Sequence, residues 1–116
     1  MTNGTRKPVY YIASAFSRQK EMRQIRSIMQ TAGFTVESRW LDEEAESDAA
    51  APSDEYREAC ALKDLQDLAG CDVFVCFCGA VGAGHHTELG LALAGGKRIV
   101  IIGRKNNIFH YLPLQE

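Results

Sequence analysis

This sequence predicts a three-layer α/β fold: an open, mostly parallel sheet of four to five strands with helices on both faces. Three observations carry that expectation. Short apolar runs alternate with amphipathic stretches in the order strand, helix, strand, helix, strand, helix, strand. The run "CDVFVCFCG" is apolar on both faces, as a central strand of a parallel sheet is. Glycine closes each amphipathic stretch, at Gly33, Gly70 and the pair Gly95 and Gly96.

Each element has its own signal. "PVYYIASAF" (8–16) is β-branched and aromatic and reads as a buried first strand. Ser17 is placed to cap a helix over "RQKEMRQIRSIMQTAG", with Met22, Ile25, Met29 and Ala32 on one face and Ile28 beside them. "FTVESRWL" (34–41) is the second strand, with weaker alternation. The acidic, small-residue run 42–54 is a solvated loop. Ser53 can cap a second helix, "DEYREACALKDLQDLAG", whose apolar stripe is Tyr56, Ala59, Leu62, Leu65 and Leu68. Strand three is 71–79, a short helix runs from about Thr87 to Ala94, and "KRIVIIG" (97–103) is strand four. A short helical turn is expected in the tail. The order matches flavodoxin-like or Rossmann-like sheets, which bind ligands at the carboxyl ends of their strands where the strand order switches.

Composition narrows the function. The 116 residues suit one domain, 1–116, with a core of ordinary size. Hydrophobic content of 46% and charged content of 24% exclude a disordered chain, and a formal net charge of −2 argues against a general grip on nucleic acid. No apolar run is long enough to span a bilayer, and the start "MTNGTRKPV" lacks the pattern of a signal peptide, so a cytoplasmic location is expected. Cys60, Cys71, Cys76 and Cys78 do not fall into a zinc-binding spacing. They read as small apolar filler in a reducing compartment, with neither metal nor cofactor expected.

The segment from Gly79 to Gly90, "GAVGAGHHTELG", supports two chemistries. Gly79, Gly82 and Gly84 allow the backbone to approach a ligand closely, and the following helix start favours an anion. The spacing matches neither the dinucleotide fingerprint nor the Walker loop. Alternatively Glu88, in the first turn of that helix and held ionised by its dipole, suits attack on a sugar anomeric carbon. His85 and His86 line a pocket or stand in solvent. In the loop after strand one, Ser14, Phe16 and Arg18, with Ser17 and Lys20, are candidates for substrate or phosphate binding.

Three segments carry a resemblance to a known family. "YYIASAFS", "KDLQDLAGCDVFVCF" and "GHHTELGLALAGGKRIVIIG" resemble the corresponding blocks of the nucleoside 2-deoxyribosyltransferases, and "NNIFHYLP" resembles the tail of many members. The related 2′-deoxynucleoside 5′-monophosphate N-glycosidases share the layout. The resemblance covers nearly the whole chain outside the acidic loop. It implies that Glu88 is the nucleophile that takes the deoxyribosyl group, that Asp72 sits near the nucleoside, that Asp64 acts on the base or a sugar hydroxyl, and that Tyr11 orients the nucleophile. It also implies a homo-oligomer, a dimer or larger, in which a neighbouring subunit completes each site. Two departures stand out. Gly82 and Ala83 replace serines of the nucleotide hydrolases, and the sequence stops soon after "HYLP", where many relatives continue into a further strand and helix.

The expected activity is therefore cleavage of the N-glycosidic bond of a 2′-deoxynucleoside or its 5′-monophosphate through a covalent Glu88 adduct, with transfer to another base or to water. The expected partner is the small-molecule nucleoside or nucleotide, with no nucleic acid and no membrane. The alternative on the same fold is a non-catalytic nucleotide-binding or sensing module.

Overall fold

A computed structural model describes residues 7–43, 53–79, 84–105 and 108–112. Its sheet has four strands: β1 (Val9–Ala13), β2 (Thr35–Val36), β3 (Val73–Phe77) and β4 (Arg98–Ile102). Their spatial order is β2-β1-β3-β4, and every neighbouring pair is parallel. The helices are α1 (Gln19–Thr31), α2 (Asp54–Gly70) and α3 (Gly84–Ala94). Right-handed crossovers put α1 on one face and α2 with α3 on the other, and α2 and α3 touch. No helix among the described residues is long and apolar enough to cross a membrane.

The strand order reverses between β1 and β3, so the carboxyl ends of these two strands flank the switch point. Both strands lie at the centre of the core. All five residues of β3 are buried, and the Tyr11 and Phe74 rings, register partners, stack with centroids 5.8 Å apart. The switch point is braced by Ser14, whose buried hydroxyl donates to the Phe77 carbonyl at 3.1 Å.

The second strand is only two residues long, and its shortness has a local cause. Beyond Val36 the ladder partners of Ile12 are side chains. Its N–H donates to Ser38 Oγ at 2.8 Å and its carbonyl accepts from Trp40 Nε1 at 2.7 Å. With Ile12 satisfied in this way, the chain is free to coil into a 3-10 turn, Arg39–Asp42. Asp67 of α2 holds that turn in place, accepting from the Arg39 backbone N–H at 2.8 Å and from its guanidinium at 3.0 Å.

Two of three expected details differ. Ser17 does not cap α1: it lies in a 3-10 turn, Phe16–Arg18, and Arg18 is the N-cap, without a side-chain cap bond. Ser53 does cap α2, accepting from the Tyr56 N–H at 3.1 Å. The apolar stripe of α2 is not buried as a unit. Tyr56, Leu62 and Leu65 are 36%, 52% and 48% exposed, Ala59 is exposed too, and Leu68 alone of the five is buried. A strict three-residue repeat slips by about 60° per step on a helix of 3.6 residues per turn, so Tyr56 and Leu68 cannot share a face. The sheet-facing side carries Asp64 and Asp67 instead.

Gly103 also has a fixed role. Its φ is +100°, and a Cβ there would sit 2.8 Å from the Cys78 carbonyl oxygen.

Replacing Trp40 with Phe keeps an aromatic ring but removes the donor to the buried Ile12 carbonyl. A loss of about 1–3 kcal/mol is expected, read as a lower urea midpoint with an unchanged slope. A midpoint equal to the parent's would show that Trp40 acts only by packing.

Candidate active site

Four carboxylates and a phenol converge on the α2/α3 side of β1. Tyr11 projects from the central strand towards α3, and its hydroxyl donates to Glu88 Oε2. Strand, helix and neighbouring ring all fix this pair, because Tyr11 is fully buried and stacked on Phe74. Asp64 and Asp67 come from the inward side of α2. Glu43 follows the 3-10 turn that Asp67 anchors.

The electrostatics follow from burial. Desolvation pushes the Glu88 carboxyl up to about 7; the Tyr11 hydrogen bond opposes this, and the charges of Asp64 and Glu43 add to it. Desolvation likewise raises Asp64 to about 7, helped by Glu43 and Asp67 and opposed by Arg39. Burial raises Glu43 too, against the pull of Cys60 and Lys63. The Tyr11 phenol is raised far above its usual range by burial and by the Glu88 carboxylate, so it stays a donor at any working pH. Asp64 Oδ1 and Glu43 Oε2 are buried without a hydrogen-bond partner among the described residues. Two carboxyl oxygens are thus available for a polar ligand.

Next to Glu43 opens a hollow of about 460 Å³ lined by Arg39, Asp42, Glu43, Tyr56, Cys60 and Lys63. Glu88 and Tyr11 are not among those walls; Glu43, which is, adds its charge to those that raise Glu88. A second hollow of about 420 Å³, between α3 and the 3-10 turn Ile108–Tyr111, is lined by Leu89, Gly90, Leu93, Ala94, Phe109 and Leu112, with no ionisable group among these described residues.

The expected site residues separate into two groups. Tyr11, Asp64 and Glu88 come together. Asp72 does not: it precedes β3 at the amino end of the sheet, where its Oδ2 accepts from the Val9 N–H at 2.7 Å. It closes the ladder that β1 leaves open, and it is not among the charges that shift Glu88. Glu88 itself stands in the second turn of α3, because the helix begins at Gly84 and not at Thr87. There burial outweighs any helix-end field, and the carboxyl is raised, not held ionised as expected.

In the loop after β1, Ser14 is committed to Phe77, and Phe16 is half-exposed against the Trp40 ring. Arg18 spans from Glu21, at 3.0 Å, to the Cys78 carbonyl, at 3.3 Å, beside the end of β3. Gly79 has a φ of +111° and turns the chain out of β3. The His86 ring lies 6.0 Å from that of His110. Gly82 and the His85 side chain lie outside the described residues; Gly84 opens α3. Sequence reasoning missed Glu43 and Asp67. Glu43 was read as one acid in a solvated loop, and Asp67 is the inward partner, three residues on, of Asp64.

No family model matches the sequence, and no curated protein matches it. Among solved structures the chain is similar to a 2-deoxyribosyltransferase from Bacillus psychrosaccharolyticus, at 23% identity over 87% of this chain and 78% of that one, with a TM-score of 0.69. It is also similar to the CMP N-glycosidase BcmB of Clostridium botulinum, at 25% identity over 80% and 69% of the two chains, with a TM-score of 0.53. The chain shares the fold of these two enzymes. A conserved protein from Enterococcus faecalis V583 shares it at 16% identity over 95% and 79%, with a TM-score of 0.60. The four-stranded parallel sheet thus agrees with the flavodoxin-like expectation.

The raised carboxyls have a measurable consequence for stability. A carboxyl whose folded-state pKa lies above its unfolded value stabilises fully below the unfolded pKa. That contribution is lost as pH rises through the folded pKa, here about 7 for Glu88. Glu88→Gln should therefore remove up to about 3 kcal/mol of the fall in stability between pH 5 and pH 8. Urea midpoints across that range test this; parallel curves for parent and variant would contradict it.

Proposed function

We propose that the chain cleaves the N-glycosidic bond of a 2′-deoxynucleoside or its 5′-monophosphate, with Glu88 as nucleophile. The observation that carries this reading is the buried Glu88 carboxylate, held by the Tyr11 hydroxyl and flanked by Asp64, beside the switch point of the sheet. The likeness to a 2-deoxyribosyltransferase and to a CMP N-glycosidase supports N-glycosidic cleavage or transfer as the class of chemistry.

The steps balance with the residues at hand. A Glu88 carboxylate oxygen bonds to the anomeric carbon as the carbon–nitrogen bond breaks. Asp64, protonated to a useful extent because its pKa is about 7, gives its proton to the departing base. Water or a second base then attacks the anomeric carbon, Asp64 takes a proton back, and Glu88 is released as carboxylate. Tyr11 keeps the nucleophile in one rotamer throughout. Glu43, with its orphan oxygen, is placed to accept from a polar group of the substrate. Arg18, 3.3 Å from the Cys78 carbonyl, is a cation beside the end of β3 for a 5′-phosphate. The reading keeps a homo-oligomer, for which the exposed Leu62 and Leu65 of α2 offer a face to a second copy. Light scattering that returns a monomer at working concentration would remove that part.

Base release from deoxynucleosides, deoxynucleotides and CMP, with and without an acceptor base, tests the assignment. Glu88→Ala should lower turnover at least about 10³-fold in a variant that still folds. Binding without turnover by the parent would favour the sensing module.

The pH profile should be bell-shaped and centred near neutrality. The rate rises as Glu88 ionises and falls as Asp64 loses its proton, both near 7. Asp64→Asn should remove the alkaline fall and slow the reaction by about 10²-fold or more for poor leaving bases. An unchanged alkaline limb in that variant would exclude Asp64 as the acid.

A further inference from the structure

Behind the carboxylates, and unused by them, three metal-ligating side chains meet in the core. Cys76 and Cys78 lie two residues apart at the end of β3 and point to the same side; they are 0% and 5% exposed. His110, 0% exposed, reaches them from the turn Ile108–Tyr111. The two sulfurs are 3.7 Å apart, and each ring nitrogen of His110 is 3.7 Å from Cys78 Sγ. One ligand atom from each of the three residues can be chosen so that all lie within 4.8 Å of one another.

These separations suit a bound ion. With metal–sulfur bonds of about 2.3 Å and metal–nitrogen bonds of about 2.0 Å, tetrahedral coordination puts two sulfurs about 3.8 Å apart and a sulfur and a nitrogen about 3.5 Å apart. Little movement would be needed to close the site. The choice of residue is also telling. Ile108, Phe109 and Tyr111 are 78%, 53% and 66% exposed, so His110 is the one side chain of that turn seated in the core. An aliphatic residue would fill the same space without carrying two polar ring atoms inside. Among the described residues, the His86 ring, 6.0 Å from that of His110, is the further imidazole that could complete four ligands. Two sulfurs and an imidazole select soft or borderline ions over oxygen-seeking ones.

We propose that Cys76, Cys78 and His110 bind one thiophilic d¹⁰ metal ion, Zn²⁺ or Cu⁺, which fastens the turn Ile108–Tyr111 to the end of β3. Both thiols release their protons on binding, so the ion is held by two thiolates and a neutral imidazole. The ion is structural and takes no part in the glycosidic chemistry, so the proposal stands or falls separately from the function assigned to Glu88.

The test uses the full chain, reduced and stripped of metal by a chelator. It is titrated with Zn²⁺ against one chromophoric competitor and with Cu⁺ against another. One ion per chain is expected, and the arm in which the protein outcompetes its indicator identifies which. Cys78→Ser and His110→Asn should each weaken binding at least tenfold, whereas Cys60→Ser, on α2, should not. The melting temperature should rise on metal addition in the parent and stay constant in a Cys76→Ser/Cys78→Ser variant. Co²⁺ bound to the unmutated chain should show a thiolate-to-metal charge-transfer band, which decides the matter even if the variants fail to fold. No such band, no binding in either arm, or equal weakening by Cys60→Ser would overturn the proposal.

Discussion

The hydrogen bond from Tyr11 to Glu88 is the constraint around which this domain is organised. It joins the central strand to the helix that follows β3, a polar contact that ties β1 directly to α3. A carboxylate taken out of water costs several kcal/mol unless it gains partners. Here a single phenol supplies part of that return, and the nearest ionised neighbours are other acids. The remaining cost appears as a raised proton affinity. Glu88 is therefore balanced between its two protonation states near neutrality, which a surface glutamate would not be.

The other acids owe their positions to a chain of ordinary structural contacts. Ser38 and Trp40 satisfy Ile12, which ends β2 early. The 3-10 turn that results brings Arg39 onto Asp67 and leaves Glu43 facing α2. Asp67 is matched by Arg39, so it works as framework. Asp64, one turn away, and Glu43 each keep an oxygen without a partner among the described residues. The division is physical: an acid with a bidentate arginine holds structure together, and an acid left with a buried orphan oxygen is available to a ligand.

The layered fold was legible because it rests on period and order. The apolar run of β3 and the alternation of strands with helices led directly to the parallel sheet. Tyr11, Asp64 and Glu88 could be picked out by their resemblance to known motifs, and the structure brings these three together. Asp72 had the same kind of motif support yet serves the opposite end of the sheet, because a motif records spacing along the chain and not which end of a strand a side chain occupies. The outward stripe of α2 misled for a related reason: a repeat of three resembles a helical face over two turns but drifts off it over five. Nor could composition reveal Glu43, since an acidic residue beside a loop looks solvated until the turn before it is known.

The burial that makes Glu88 hard to ionise is also what suits it to the proposed reaction. An N-glycosidic bond breaks with positive charge growing on the sugar. A carboxylate in water gains little from that charge, because solvent already stabilises it. A carboxylate short of partners gains far more, and gains it only as the cation forms, which is the condition for lowering a barrier rather than merely tightening binding. Tyr11 serves the same end by limiting reorientation, since the phenol, wedged against Phe74, cannot follow the carboxylate elsewhere. Adding a positively charged side chain to neutralise Glu88 would lower its pKa and stabilise the folded domain at alkaline pH, but it would give the ground state what the reaction needs in the transition state. Arg39 is held at Asp67 and Arg18 at Glu21, and neither is among the charges that shift Glu88.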